Sequence, residues 1–303
     1  MCRPIIALIY DFDKTLSPRD MQEYGFLPGI GIEPAVFWEM CRRFAVENQT
    51  DGILAYMYMM RRTARGAMEL NREALNRLGA EVEFFPGVET WFSRVNAIGA
   101  GLGADVEHYI ISSGLTEIIE GSRIGGEFKA IFAASFCYDA EGHPVWPATA
   151  VNYTSKTQYL FRINKGIWDV TNDRDINAYT PEYKRRIPFS NMIYIGDGLT
   201  DVPCMKMTRQ KGGYSIAVHA PGETDISDDM LLQGRADFAM EADYRPGSEL
   251  ETVVADLMRR MVVTSGLSAR HARQVRRAAG RRRESVPLEI EMRGGLEDGE
   301  ENE

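Results

Sequence analysis

The sequence predicts an α/β protein, a doubly wound, Rossmann-like parallel sheet with an all-helical segment inserted into it. Three observations lead there. Short apolar runs bounded by turn residues alternate with helical periods over most of the chain, the pattern of a parallel sheet covered by helices. Three of those runs end in polar turns, Asp11-Phe12-Asp13, Ser112-Ser113-Gly114 and Gly196-Asp197-Gly198; strand ends are where such sheets gather ligand-binding residues. Between the first run and the next strand, residues 16–85 carry helical spacing instead.

Residues 5–10 are continuously apolar up to Asp11, as a strand buried on both faces is. Glu33-Pro34 then opens a helical pattern with Phe37, Met40, Cys41 and Phe44 on one side. Asp51 is the expected N-cap of a second helix bearing Ile53, Met57 and Met60, and a third runs over 70–78 and stops at Gly79. Pro86-Gly87 restarts the α/β rhythm, with a helix at 88–95, a strand at 108–111 and a helix from 115. Residues 132–138 and 145–151 flank the turn sequence at 140–144 and read as a hairpin. A helix at 154–163 follows, then strands at 192–195, 215–218 and 236–240 around a helix at 201–207. Leu250, Val253, Val254, Leu257 and Met261 mark one side of a closing helix at 248–263. The expected division is a core of residues 1–15 and 86–264, a helical cap of 16–85, and a largely disordered tail of 265–303.

Of the 303 residues, 44% are hydrophobic and 26% charged, enough for a real core and incompatible with a wholly disordered or disulfide-scaffold chain. No apolar run approaches the roughly 18 residues that cross a bilayer, and the apolar N-terminal stretch is too short for a signal-peptide core, so the expected location is cytoplasmic. Cys2, Cys41, Cys137 and Cys204 form no CxxC pair, and the four histidines show no HExxH spacing, so neither a disulfide framework nor a zinc site is expected.

The net charge of −9 is unevenly spread. Residues 259–283 hold nine arginines and no acid, and 284–303 hold eight acids and one arginine. The remaining 258 residues carry 25 basic and 36 acidic side chains, a balance that argues against nucleic acid as the main partner. The arginine run keeps a rival reading open, an RNA- or anionic-surface-binding protein using 259–283. Against it, no aromatic residues interleave for base stacking, and the following acids could neutralise the run.

The chemistry-bearing residues sit at the strand ends. Asp11 and Asp13, two apart just past a strand, can converge on one site; a carboxylate can attack phosphorus, and a second acid can protonate the leaving oxygen. The alternative is a DxD turn that caps a helix. Ser112 and the neighbouring N–H groups, expected at a helix N-terminus, suit a phosphate, although a plain N-cap looks the same. Asp197 and Asp201 flank a glycine-rich turn, and oxygen ligands of that kind favour Mg²⁺; an Asp-Gly turn with an N-cap is the alternative. Lys156, at the start of a helix, matters if it neutralises a phosphoryl group.

Taken together, the order apolar strand–DxDxT, strand–Ser, Lys, strand–GDxxxD resembles the haloacid dehalogenase (HAD) superfamily over residues 5 to 240. The insertion between the first two motifs is most similar to that of its phosphoserine-phosphatase-like branch. The resemblance implies a Mg²⁺-dependent phosphatase acting on a small phosphorylated metabolite. Asp11 would be the nucleophile, and Asp13 the general acid/base and, with Asp11 and Asp197, a metal ligand. Ser112, Ser113 and Thr15 would bind phosphate, Lys156 would balance charge, and Asp201 would support the metal site. Asp13 disfavours dehalogenation, because the superfamily's dehalogenases lack an acid two residues after the nucleophile. Substrate candidates in the cap are Asp20, Arg61, Arg62 and Arg65; the Met57, Met59, Met60 group reads as cap core.

Overall fold

The computed structural model describes residues 3–284. Seven strands form one sheet among the described residues: β1 (Ile5–Tyr10), β2 (Asp105–Leu115), β3 (Ala130–Tyr138), β4 (Pro144–Thr149), β5 (Met192–Gly196), β6 (Tyr214–His219) and β7 (Phe238–Glu241). Their order is β4-β3-β2-β1-β5-β6-β7. All neighbours are parallel except the β3–β4 hairpin. The chain leaves β1 toward β2 on one side and later returns to β5 on the other, so β1 is the switch point where a cleft opens at the strand ends.

β1 shows why the sheet needs two layers of helices. Ile6, Leu8 and Tyr10 face one hydrophobic cluster and Ala7 and Ile9 face another. The first cluster is covered by α5 (Val88–Leu102), α6 (Thr116–Gly121) and the first half of α11 (Glu249–Glu284), through Val88, Trp91, Ile118, Leu250 and Val254. The second is covered by α7 (Tyr153–Lys165), α9 (Val202–Gln210) and α10 (Asp225–Leu232), through Leu160, Met205 and Met230. The short α8 (Asp173–Asn177) lies between α7 and β5 in sequence.

The insertion between β1 and α5 is helical, as expected: α1 (Phe26–Ile30), α2 (Pro34–Asn48), α3 (Gly52–Ala64) and α4 (Arg72–Leu78). Asp51 is the N-cap of α3, its Oδ1 accepting from Ile53 N at 2.8 Å and Leu54 N at 3.3 Å. The insertion does not carry a core of its own. Phe26, Phe37, Met57 and Met60 belong to the same cluster as Ile6 and Tyr10, and the chain up to Val262 is one compact unit. Met57, Met59 and Met60 are at most 2% exposed, which makes them packing residues.

One expectation needs correcting. Residues 265–284 are not disordered; α11 runs through to Glu284. From Ala269 to Ala279 the chain has no Gly or Pro and is rich in Arg and Ala, strong helix formers whose propensity does not depend on a core. Residues 263–284 belong to a second unit, and their described side chains are mostly exposed. The acidic stretch 285–303 lies outside the described residues. No described helix is long and apolar enough to cross a membrane. Cys41, Cys137 and Cys204 are free thiols, and Cys2 lies outside the described residues.

Candidate active site

Register brings the three motif turns to one level. Tyr10 pairs with Ile110 on one side and Ile195 on the other. Asp11, Ser112 and Asp197 therefore all emerge within two residues of the same line across the sheet. Asp11 N still donates to Ile195 O at 3.0 Å, which ties Asp11 to β5. Gly196 is required there: a Cβ would stand 2.6 Å from Asp201 Cγ, so any side chain would push that carboxylate out of place.

Lys156 is the hub. It is fully buried, and its Nζ donates to Asp11 Oδ2 and Asp201 Oδ1, each at 2.7 Å. The side chain enters from the first turn of α7, where Asn152 and Ser155 form a reciprocal capping box. Burial alone would lower the lysine pKa, but the two adjacent carboxylates outweigh it and hold Lys156 above its ordinary value. Tyr194 on β5 also donates to Asp201 Oδ1, at 2.7 Å. Carboxylate oxygens of Asp11, Asp197 and Asp201 lie within 4.8 Å of one another. Three acids around a single ammonium leave negative charge in a buried place, and desolvation pushes Asp11 up to about 6 despite Lys156. Asp197 is raised well above the usual carboxylate range, by burial first and then by Asp201 and Asp11.

The loop after β1 is wound tightly. Thr15, Leu16 and Ser17 all donate main-chain N–H to Phe12 O, and Lys14 adopts φ +57°, a left-handed conformation uncommon for a residue with a side chain. This winding turns Asp13 back so that its Oδ1 accepts from Met21 N at 2.9 Å. Burial, then Asp20 and Asp11, raise Asp13 well above its ordinary pKa. The Thr15 hydroxyl donates to Asp197 Oδ1 at 3.0 Å and is wholly buried, so it braces a carboxylate and is not open to a phosphate as expected.

Ser112 does not stand at a helix N-terminus. β2 continues to Leu115 with a register irregularity between Ile111 and Leu115, and α6 starts only at Thr116. Ser112 Oγ instead accepts from Gly114 N at 3.0 Å, holding a local turn. Gly114 permits close approach, since a Cβ there would meet Met21 Cε at 2.1 Å and Asp13 Oδ2 at 3.2 Å. Ser113 Oγ is buried without a hydrogen-bond partner.

A family model described as haloacid dehalogenase-like hydrolase matches residues 8–206, a span that includes Asp11, Ser112, Lys156 and Asp201. The chain is a haloacid dehalogenase-like hydrolase. An uncharacterized protein of Borreliella burgdorferi is 28% identical, the alignment covering 81% of this chain and 94% of that one. A HAD family hydrolase from Salmonella enterica serovar Typhi shares the fold, with a TM-score of 0.51 and 16% identity over 78% of this chain and 67% of that one. A probable phosphoserine phosphatase from Vibrio cholerae does so with a TM-score of 0.52 and 14% identity over 87% of this chain and 67% of that one.

The remaining candidates of the hydrolase are less central. Asp20 Oδ2 accepts from Lys14 Nζ at 3.0 Å at the edge of the β1 loop. Arg61 donates to the carbonyl of Val145 at 2.9 Å, and Arg61 and Arg65 line a groove with His143 and Pro144. Arg62 lines a separate groove with Glu39, Arg43 and Glu47. Neither groove is lined by Asp11, Ser112, Lys156, Asp197 or Asp201. Three partners had not been expected. Tyr194 was legible in principle, being the one polar-tipped residue in an apolar strand. Tyr56, which donates to Ser113 O at 2.7 Å, gave no local signal, and Asp51, expected only as a helix N-cap, also accepts from Asn152 Nδ2, far away in sequence.

Proposed function

We propose that the chain is a Mg²⁺-dependent phosphomonoesterase that works through an aspartyl-phosphate on a small phosphorylated metabolite. The observation that carries this reading is the buried Lys156 held 2.7 Å from both Asp11 and Asp201, with Asp197 beside them. Such a cluster is costly without a further cation to balance it, since its acids outnumber its single ammonium.

In the proposed cycle an Asp11 carboxylate oxygen forms a bond to phosphorus while the bond from phosphorus to the ester oxygen breaks. Asp13, its affinity for a proton raised by burial and neighbouring acids, gives its proton to the departing oxygen. A water then bonds to phosphorus, passes a proton to Asp13, and the Asp11–phosphorus bond breaks to free inorganic phosphate. Lys156 keeps Asp11 ionised and meets the phosphoryl charge. The unpaired Ser113 hydroxyl is a donor that a phosphoryl oxygen would satisfy.

The donor set fits a hard divalent cation: all-oxygen, buried, and net negative after Lys156 is counted. Asp11, Asp197 and the Asp13 main-chain carbonyl would hold Mg²⁺, with Asp201 supporting through Lys156 and Tyr194. Bound there, it would supply charge neutralisation at the phosphoryl oxygens. Residues 16–85 are read as a cap that excludes water and meets the rest of the substrate. A screen of phosphorylated metabolites and p-nitrophenyl phosphate, with and without Mg²⁺, tests the proposal; no phosphate release from any of them would overturn it.

A further inference from the structure

We propose that the turns of α11 beyond Arg270 form a surface for the phosphate backbone of double-stranded nucleic acid. Of the nine arginines, Arg259 pairs with Asp256 and Arg260 lies over the Tyr214 ring at 5.6 Å. The others fall on the last turns. Arg270, Arg273, Arg277 and Arg281 are spaced by three, four and four residues in one continuous helix, which stacks them in a single stripe. At 1.5 Å per residue that stripe is about 16 Å long. A duplex presents one phosphate charge per roughly 1.7 Å of axis, so several lie within its reach. Arg270, Arg276, Arg277 and Arg281 are exposed, and Arg273 is half-buried.

The stripe works against its own helix. Arg273, Arg277 and Arg281 are like charges at i,i+4, each pair destabilising by a few tenths of a kcal/mol. A polyanion laid along it removes that repulsion. The opposite face carries Ser268, Ala272, Val275 and Ala279, one valine among small residues, which is less than the apolar face that seats a helix in a bilayer surface. The run contains arginine and no lysine, the side chain whose fork matches phosphate oxygens in pairs. Without aromatics to stack on bases, the contact reads backbone, not sequence, and favours duplex over single strand.

The test is fluorescence anisotropy of the full chain with labelled 20-bp RNA and DNA duplexes, a single strand, and phosphatidylserine vesicles, from 50 to 300 mM salt. Four phosphate contacts predict a slope of log affinity against log salt of about −3 to −4. Changing the four stripe residues together to Gln should cost at least tenfold in duplex affinity and flatten the slope. Changing them to Lys should keep the slope, and p-nitrophenyl phosphate turnover should be unaltered in both. Binding to both duplexes, or to RNA alone or DNA alone, supports the proposal and identifies the source. No duplex binding at 50 mM salt, equal affinity in the Gln variant, a single strand bound as tightly, or binding to vesicles alone would each overturn it.

Discussion

Tyr56 of α3 donates a 2.7 Å hydrogen bond to the main-chain carbonyl of Ser113, at the end of β2. One turn earlier, Asp51 caps the same helix with one carboxylate oxygen and accepts from Asn152 with the other. Asn152 is the N-cap of the helix that carries Lys156. The insertion is thereby joined to two of the turns that build the site, through a single helix. Tyr56→Phe should cost about 1 kcal/mol of this docking and lower kcat/KM on p-nitrophenyl phosphate roughly threefold to tenfold. Amide exchange in α3 should quicken in parallel. Unchanged exchange and unchanged kinetics would show that the bond positions nothing.

Asp11→Asn should abolish turnover, by more than about a thousandfold, because an amide does not attack phosphorus. The fold should survive, since Lys156 keeps Asp201 as a partner. Asp13→Asn should lose roughly a hundredfold or more with the loss of its proton transfers. Steady-state kinetics alongside circular dichroism checks both, and near-normal turnover in Asp11→Asn would sink the assignment.

Lys156→Met should be among the most damaging single changes. It leaves Asp11 and Asp201 buried without their cation, a situation that costs about 3–5 kcal/mol. Urea denaturation should show that loss. Adding Asp201→Asn to Lys156→Met should recover part of it by removing one of the stranded charges. A Lys156→Met protein as stable as the parent would mean that the cluster is far better solvated than its burial implies.

The strand-end residues were legible because a buried strand that stops at a polar turn announces both an element and a site. That pattern pointed to Asp11, Asp13, Asp197 and Asp201, but each turn alone could equally have been a helix cap until the motifs were taken together. Lys156 did not have it: a lysine in the first turn of a helix looks like a solvated one, and only the order of the other motifs singled it out. Ser112 was located but its setting was misread, because the irregularity between Ile111 and Leu115 extends β2 past the turn. Tyr56–Ser113 and Asp51–Asn152 join residues 57 and 101 positions apart, a separation that no local periodicity reports. The far end of α11 was not foreseen because the apolar stripe that marked the closing helix ends at Met261, whereas helix propensity does not require burial.

EDTA should remove activity and Mg²⁺ restore it. Asp197→Asn should raise the Mg²⁺ needed for half-maximal activity at least tenfold, since its carboxylate is the one braced by Thr15 and not by Lys156. Full activity in EDTA, on protein verified free of metal, would contradict the all-oxygen reading of Asp11, Asp197 and the Asp13 carbonyl.

A last expectation concerns pH and stability, away from the site. Trp91 Nε1 can only donate, and it does so to Tyr10 OH at 2.9 Å. Tyr10 OH therefore donates its own proton to His108 Nδ1, 3.0 Å away, which leaves the His108 Nε2–H to meet Asn96 Oδ1 at 3.1 Å. The chain of bonds is complete only with a neutral imidazole. Burial accordingly lowers the His108 pKa to about 4, against about 6.5 in the unfolded chain. The folded state then binds fewer protons than the unfolded one between those values. His108 thus contributes stability that is fully present above about pH 6.5 and is lost as pH falls toward 4, some 2 kcal/mol of it between pH 7 and pH 5. Buried Asp13 and Asp197, raised in the folded state, push the other way over acidic pH, so the parent curve alone does not isolate the effect. The difference between parent and His108→Gln does. The variant should be the less stable protein at pH 7, through imperfect packing between Tyr10 and Asn96, and the gap should narrow by about 2 kcal/mol at pH 5. Urea unfolding at both pH values measures it, and a gap that stays constant would show that His108 does not titrate against the fold.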